Sequence, residues 1–214
     1  MKVVRKRLII AGAGGFGREI MALAESMPDR EWDVYGFFDP NPDALVGFGL
    51  SLPIFTDLDS YDRLPTDVFV CAIGLPKLRR IVVEEMEAQG CEFITFVHPK
   101  AHVGPRCAIG AGAVIYPHVT LVCDIKIGRH VVLNTGTSIN HDAAIEDFSV
   151  LSPQCAVPGG VIIGEGCLVG TGAVILPRVR VGRNCILGAG SVSVKDVADN
   201  TTVVGVPAHP IQRS

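Results

Sequence analysis

Hydrophobic residues recur every six positions through the second half of the chain. From Val103 to Leu187 every sixth residue is Val, Ile or Leu, without an insertion. A smaller residue stands two positions before each of them, with Ile125 as the one large exception. Because alternate residues of a strand point to opposite faces, this pairing predicts one short strand and one corner per repeat. The pattern predicts a parallel β-helix of hexapeptide repeats.

Three repeats close one triangular coil, so the fifteen repeats within residues 103–192 correspond to five coils. Residues three repeats apart are then expected to lie above one another, at about the 4.7–4.9 Å spacing of neighbouring strands. Glycine, asparagine or proline often follows the aliphatic position, and such residues suit corners. Four cysteines fall on the small inward position and are expected to be core residues: Cys107, Cys155, Cys167 and Cys185.

Residues 8–98 follow a different pattern, in which short apolar runs alternate with segments of helical spacing. This alternation predicts a parallel sheet with right-handed crossovers. We therefore divide the chain into a small Rossmann-like α/β half-domain, residues 1–98, and a β-helix domain, residues 99–214. Strands are predicted at 8–11, 34–38, 67–74 and 93–97, and helices at 16–27 and 77–89.

The first strand-to-helix turn carries Gly12, Gly14 and Gly17 in a G-x-G-x-x-G arrangement, and Asp39 ends the next strand. Glycines at such a turn let backbone N–H groups approach a phosphate. An acidic residue at the end of the next strand can accept hydrogen bonds from ribose hydroxyls. A tight turn without a ligand is the alternative. A dinucleotide fold needs two βαβαβ halves, and this region supplies little more than one. A mononucleotide, or a sugar linked to one, is favoured over NAD.

Composition narrows the class of protein further. With 48% apolar and 19% charged residues, the chain does not have the composition of a disordered protein. Its net charge of -3 argues against a positively charged surface that could bind nucleic acid. The seven cysteines contain no C-x-x-C pair, which argues against a disulfide framework or a zinc cluster. The apolar run Leu8–Ala11 is too short for a signal peptide, and no stretch approaches the ~20 apolar residues of a transmembrane helix. We expect a cytoplasmic protein.

These motifs, with the strand end at 72–74 and the final Gly-Val-Pro-Ala at 205–208, resemble one known family over essentially the whole chain. The chain resembles the sialic acid O-acetyltransferases and bacillosamine-type sugar N-acetyltransferases. The resemblance implies a homotrimer of left-handed β-helices and transfer of an acetyl group from acetyl-CoA to an amino or hydroxyl group of a sugar, often nucleotide-linked. It implies no metal. It also implies that the nucleotide sugar is bound by Gly12, Gly14, Gly17, Asp39 and Gly74.

The most specific local match is Asn140-His141-Asp142. The resemblance implies that His141 is the general base and Asp142 its orienting carboxylate. An amine or hydroxyl must lose a proton as it adds to a thioester, and imidazole can accept one near neutral pH. Gly159 follows His141 by three repeats, so its N–H is expected one coil away, where it can receive the oxyanion. An exposed corner histidine beside a corner glycine is the alternative. The resemblance implies acyl-donor contacts at Gly159, Val150, Thr171 and Ala189.

Two positions depart from the family pattern. Members often carry a second histidine, which contacts the acyl donor, where this chain has Val150, and a histidine in the glycine-rich opening where it has Phe16. Val150 and Pro158 also make the surroundings of His141 more apolar. Two alternatives therefore stay open: an acyltransferase with another acceptor or a longer acyl chain, and a non-catalytic trimer that binds sugar nucleotides or acts as a scaffold.

A zinc site like that of the γ-carbonic anhydrases would need three convergent histidines. The candidates His118, His130 and His141 fall at different positions within the coil. We therefore expect His118 and His130 to be ordinary surface residues.

One of the three faces carries only apolar residues at the outward positions before each large inward residue, while the other two faces are mixed. A continuous outward apolar stripe usually marks an interface, and a β-helix with one such face can close into a three-fold ring. We expect a homotrimer with the His141 corner opening onto a cleft between subunits. The predicted stripe consists of Val114, Val132, Val150, Leu168 and Ile186.

Overall fold

A computed structural model of the chain describes residues 5–211. Its contacts divide the chain into two compact units. The first comprises the chain up to Gly74 together with Leu78–Ile94, and the second comprises Leu75–Lys77 together with the chain from Thr95 onward.

The first unit is built around a parallel sheet with the strand order β3-β2-β1-β4. The predicted α/β class is confirmed: β1 pairs in parallel with both β2 and β4, and the crossover from β1 to β2 runs through α1. The short strand β3 was not predicted, because two residues are too few to show a period. The elements are β1 (Lys6–Ala11), α1 (Gly15–Ser26), β2 (Trp32–Phe38), β3 (Ile54–Phe55), β4 (Asp67–Cys71) and α2 (Pro76–Ala88).

The central strands of this sheet are buried, as expected for a parallel sheet. At its amino-terminal edge the buried carboxylate of Asp67 accepts from Arg7 at 2.7 Å and from the Tyr61 hydroxyl at 2.8 Å. Burial alone would raise the pKa of Asp67, but the hydrogen bonds from Arg7, the Leu64 N–H and Tyr61 outweigh it and lower that pKa. These bonds fix the start of β1 against the start of β4.

The second unit is a parallel β-helix, as the hexapeptide pattern predicts. Its strands are mostly two residues long and form three faces. The first face contains β5 (Phe96–Val97), β8 (Val114–Ile115), β11 (Val132–Leu133), β14 (Val150–Leu151), β17 (Leu168–Val169), β20 (Ile186–Leu187), β22 (Thr202–Val204) and β23 (His209–Ile211). The second contains β6 (His102–Val103), β9 (Thr120–Leu121), β12 (Ser138–Ile139), β15 (Ala156–Val157), β18 (Val174–Ile175) and β21 (Val192–Ser193). The third contains β7 (Ala108–Ile109), β10 (Lys126–Ile127), β13 (Ala144–Ile145), β16 (Ile162–Ile163) and β19 (Arg180–Val181).

The register confirms that residues three repeats apart stack on one another, since Leu133 pairs with Leu151 and Ile127 pairs with Ile145. The prediction of a strand at 93–97 is wrong in extent and in its assignment to the first sheet. Its last two residues, Phe96–Val97, form β5 and pair with β8 of the β-helix, whereas Phe93 makes a single bridge to Phe69 of the first unit. Phe96 lies one full coil before Val114, so β5 is an additional step of the same repeat.

The small inward positions are core positions throughout the middle of the β-helix. Cys155, Cys167 and Cys185 are buried, and burial raises the pKa of the Cys155 thiol to about 11 and that of the Cys167 thiol to about 12. Cys107 is only half-buried. It precedes β7, the edge strand of the third face, so no further coil covers it.

The apolar stripe on the first face is not exposed as predicted. Val114, Val132 and Val150 are 0%, 1% and 6% exposed within a single chain, while Leu168 and Ile186 are half-buried. Alternation along a strand tells which side chains point out of the coil, but not whether the same chain covers that side. The expected exposure is therefore wrong at these three positions, and their side chains leave little surface for a partner subunit to bury.

Among the described residues no helix could cross a membrane, since α1 has 12 residues and α2 has 13.

Candidate active site

His141 and Asp142 occupy the corner between β12 and β13, where the second face turns into the third. Nδ1 of His141 lies 2.9 Å from Oδ2 of Asp142, and the two side chains are 64% and 70% exposed. Asp142 has a φ of 61°, a conformation that aspartate tolerates better than most residues. If Nδ1 carries the proton donated to the carboxylate, Nε2 keeps its lone pair and can act as a base.

Gly159 lies directly against the imidazole, as the stacking rule predicts. A Cβ atom placed on Gly159 would lie 2.5 Å from Nε2 of His141, so a side chain there would overlap the ring. The carbonyls of His141 and Gly159 accept from the N–H groups of Gly160 and Arg178, at 2.9 and 3.1 Å. Within residues 5–211 no acceptor is found for the N–H of Gly159. The corner thus brings an imidazole nitrogen next to a glycine whose backbone N–H is available as a donor.

The other predicted acyl-donor residues lie elsewhere on the β-helix. Thr171 and Ala189 are exposed and stacked on neighbouring coils at the corner between the first and second faces, where the N–H of Gly190 donates to the carbonyl of Thr171 at 2.8 Å. Val150 belongs to the first face and is buried. A single chain therefore does not bring these three residues to the corner of His141.

In the first unit, the three glycines of the predicted phosphate-binding turn differ in what they contact. Gly12 has a φ of 108°, and a Cβ atom there would lie 3.0 Å from the carbonyl oxygen of Ala72. A Cβ atom on Gly17 would overlap the carbonyl oxygen of Gly12, so this glycine permits close packing of α1 on the turn. Gly14 has no atom within 4 Å of such a position, and it caps α1 without a side-chain hydrogen bond. Packing therefore explains Gly12 and Gly17, whereas Gly14 leaves the backbone open to a ligand.

Asp39 holds this turn in place, a contact that the sequence pattern did not reveal. Its Oδ2 accepts from the N–H of Ala13 at 2.8 Å, and its Oδ1 accepts from the N–H of Asn41 at 2.9 Å. Asp39 and Gly12 also line a cavity of about 440 Å³, with Ile73 on its wall. Each carboxylate oxygen can accept a second hydrogen bond, so Asp39 remains able to contact a ligand. Gly74, also assigned to this site, does not line the cavity and lies 3.8 Å from Phe16, measured from a Cβ position on the glycine.

The other histidines do not converge on His141. His118 is exposed at the corner between the first and second faces, as predicted. The prediction for His130 is wrong, because it is fully buried and stacks on Phe148 with 5.2 Å between the ring centroids. The stacking of successive coils places Phe148 directly over His130, and the two rings cover each other. Within the described part of the chain, no three His, Cys, Asp or Glu side chains are grouped closely enough to hold a metal ion.

Two charged residues beside His141 were not singled out from the sequence, although the stacking rule points to them. Arg106 and Asp124 precede Asp142 by two coils and by one coil. Their side chains form a bidentate ion pair, with Nε to Oδ1 at 2.5 Å and Nη2 to Oδ2 at 2.8 Å. Hydrogen bonds from Arg106 and from the Cys123 thiol lower the pKa of Asp124 to about 2.

The sequence matches two known domain families. Residues 7–86 match the PglD N-terminal domain, and residues 160–192 match the bacterial transferase hexapeptide of six repeats. The first match covers the glycine-rich turn and Asp39, and the second includes Thr171 and Ala189.

Related proteins cover almost the whole chain. A GDP-perosamine N-acetyltransferase of Escherichia coli O157:H7 is 31% identical over 96% of each chain. The acetyltransferase domain of PglB from Neisseria gonorrhoeae has a TM-score of 0.88 at 30% identity, over 97% of this chain and 100% of that one. PerB from Caulobacter crescentus, solved with CoA and GDP-perosamine, has a TM-score of 0.87 at 28% identity, over 96% of this chain and 97% of that one.

The identity to the Escherichia coli enzyme extends through both units, and the two domain matches occur in the same order as in the fold described above. The chain belongs to the PglD-type family of sugar N-acetyltransferases with hexapeptide repeats.

Proposed function

We propose that the protein transfers the acetyl group of acetyl-CoA to an amino group of a nucleotide-linked sugar. The observation that carries this proposal is the corner at His141, where Nδ1 faces Asp142 at 2.9 Å and Nε2 faces the backbone of Gly159. The relatives named for GDP-perosamine, one of them solved with CoA and the sugar nucleotide, support this acceptor class. The name N-acetyltransferase favours an amine over a hydroxyl acceptor.

The proposed reaction needs no covalent enzyme intermediate. The amino nitrogen attacks the carbonyl carbon of the thioester, and Nε2 of His141 takes the proton that the nitrogen loses. The oxygen of the tetrahedral intermediate accepts a hydrogen bond from the N–H of Gly159. The carbon–sulfur bond then breaks, and the departing CoA sulfur recovers the proton from the His141 imidazolium. Asp142 keeps the ring oriented and stabilises its charged form throughout.

The glycine-rich turn is the proposed site for the nucleotide. The amino-terminal N–H groups of α1 next to Gly14 face a diphosphate, and no acidic side chain stands in the first turn of that helix to oppose it. Asp39 and the 440 Å³ cavity take the nucleoside. We also propose a cytoplasmic location, because acetyl-CoA and nucleotide-linked sugars are produced there.

The alternative of a longer acyl chain loses part of its basis. It relied on Val150 and Pro158 as apolar surroundings of His141, but Val150 is buried on the first face. Only Pro158 remains next to this corner, one residue before Gly159.

We propose a homotrimer in which the acyl donor lies between two subunits. His141 and Gly159 belong to one corner of the β-helix, and Thr171 and Ala189 belong to another. Both corners can serve one thioester if the second corner comes from a neighbouring subunit. Of the apolar stripe, Leu168 and Ile186 retain exposed surface for such a contact.

Replacement of the base should nearly abolish turnover. We expect His141→Ala to lower kcat by about 10²–10⁴-fold, as is typical for loss of a general base, and Asp142→Asn to cost less. Release of the free CoA thiol would be followed with a panel of UDP-, GDP-, dTDP- and CMP-linked amino sugars. His102→Ala, at an exposed histidine on the edge strand of the second face, is the matched control and should keep wild-type activity. Turnover above about a third of wild type in His141→Ala would contradict the assignment.

A methyl group on Gly159 should displace the base without unfolding the protein. The added Cβ would occupy the position of the His141 ring, which is exposed and free to swing outward. We therefore expect Gly159→Ala to lower kcat by about tenfold or more, with little change in Tm, since positioning errors of this size are costly in catalysis. A fully active Gly159→Ala would show that the observed packing of ring on glycine is not needed for turnover.

Loss of the Asp39 carboxylate should weaken binding of the acceptor selectively. Asp39→Ala removes the acceptor of the Ala13 N–H, so the turn loosens, and KM for the sugar nucleotide should rise about tenfold or more, in line with the loss of a charge-assisted hydrogen bond. KM for acetyl-CoA should stay unchanged. Asp43→Ala, in the same loop but without a bond to the turn, is the control. Tight stoichiometric binding of NAD in calorimetry would instead refute the proposed nucleotide site.

A charge on the remaining apolar stripe should separate the subunits. Leu168→Glu would place a carboxylate in the proposed contact, where burying it without a partner costs several kcal/mol. We expect monomers in light scattering and little acetyl transfer. Ile162→Glu, at a half-buried outward position of the third face, should leave the trimer intact. An active trimer of Leu168→Glu would mean that the subunits meet through another surface.

A further inference from the structure

Three charged residues occupy the same corner position on consecutive coils. Arg106, Asp124 and Asp142 follow one another at intervals of one coil and share a positive φ, of 57°, 56° and 61°. Their side chains therefore leave the backbone in similar directions, about one strand spacing of 4.7–4.9 Å apart. The carboxylate of Asp124 lies one coil away from the catalytic pair formed by His141 and Asp142.

The two carboxylates have different partners. Arg106 binds both oxygens of Asp124, at 2.5 and 2.8 Å, whereas Asp142 binds Nδ1 of His141 at 2.9 Å. A bidentate guanidinium contact fixes the direction of a carboxylate as well as neutralising its charge. Asp124 nevertheless lies close enough to His141 for the charge of the imidazolium to lower the pKa of Asp124, after the larger effects of Arg106 and Cys123.

An imidazole flanked by two carboxylates can pair with either of them. If Asp124 were free, it could draw the exposed ring of His141 away from Gly159 and would stabilise the imidazolium form, which is unable to accept a proton. We propose that Arg106 is a positioning residue for the base: it occupies the carboxylate of Asp124, so that His141 pairs with Asp142 alone and stays against Gly159. This inference rests on the proposed function, in which His141 is the base.

The remaining groups that face His141 do not take over this role. On the coil of Asp124, the Cys123 thiol donates to Asp124, and that hydrogen bond and burial raise the pKa of the thiol, which keeps it neutral. On the opposite side Gly159 and Gly160 carry no side chain. Beyond them lies Arg178, whose Cγ is 3.2 Å from a Cβ position on Gly160 and which adds positive charge on that side.

The proposal predicts that loss of Arg106 is harmful only while Asp124 carries a charge. Arg106→Gln should lower kcat by roughly three- to tenfold with little change in either KM, a modest positioning loss. The acid limb of its pH–kcat profile should move up by roughly half a pH unit at low ionic strength, and by less in high salt, as expected for partly exposed charges. Arg106→Lys keeps the charge without the bidentate fork, so it should keep the wild-type profile with an intermediate kcat.

The decisive comparison is the double variant. In Arg106→Gln/Asp124→Asn the competing charge is gone, so kcat and the acid limb should return to within about twofold, or roughly 0.3 pH unit, of Asp124→Asn alone. Arg183→Gln, which breaks the exposed Arg183–Asp199 pair elsewhere on the β-helix, is the matched control and should leave the profile unchanged. A double variant as impaired as Arg106→Gln, or a profile of Arg106→Gln that superimposes on wild type, would overturn the proposal.

A second measurement separates this proposal from the proposed function. The imidazole proton signal of His141, identified as the one missing in His141→Ala, can be titrated by NMR without substrate. Its midpoint should rise in Arg106→Gln and return in the double variant, even if the wild-type protein acetylates none of the sugars tested. An unchanged midpoint in Arg106→Gln would refute the role of Arg106, whatever the activity assays show.

Discussion

The regular stacking of coils is the constraint on which the candidate site depends. Buried aliphatic and small side chains fill the interior at six-residue intervals, and each strand in the middle of the β-helix pairs with the strand one coil later. Residues 18 positions apart pair with one another, so the position of a residue within its coil decides which residues lie above and below it. The interior pattern therefore determines the surface neighbours. It places Gly159 over His141 and Asp124 beside Asp142, although these residues are distant in the sequence.

Such a scaffold can hold an exposed imidazole in place with few contacts of its own. The side chains of His141 and Asp142 are 64% and 70% exposed, and an ion pair at that exposure contributes little to stability. What orients the imidazole is its position on a rigid corner, the hydrogen bond to Asp142 and the absence of a side chain at Gly159. The same exposure leaves the ring open to competing partners, so the carboxylates of neighbouring coils matter to it. If Arg106 has the proposed role, the site would depend on which neighbouring charges are neutralised as well as on the residues that react.

Periodicity was sufficient to predict the β-helix and the contact of His141 with Gly159, because both follow from one repeat length. Periodicity could not predict which outward side chains other parts of the same chain would cover. The exposure expected for Val132 and for His130 was therefore wrong. The glycine-rich turn was recognisable from its spacing, but the bond from the Ala13 N–H to Asp39 was not, since it joins residues 26 positions apart without a repeat. The strand predicted at 93–97 failed for a related reason, because an apolar run does not reveal which sheet it will join.

The distribution of the site residues over the corners limits what one chain can do. The corner of His141 offers an imidazole and a backbone donor, yet Thr171 and Ala189 lie at the other end of the second face, and Val150 is buried on the first face, which does not adjoin this corner. A base acts on a thioester only within hydrogen-bond reach of the attacking nitrogen, about 2.6–3.2 Å. Contacts to the rest of a long acyl donor have no such limit, and a neighbouring subunit can supply them. Closed rings of identical subunits bring different surfaces of one chain together, with one corner of each subunit facing another corner of the next. If the chain forms the proposed trimer, each of its three clefts would contain one base and one set of acyl-donor contacts. The repeat gives all corners a similar backbone, while their side chains differ. In such a trimer one corner would supply the base and another the contacts to the acyl donor.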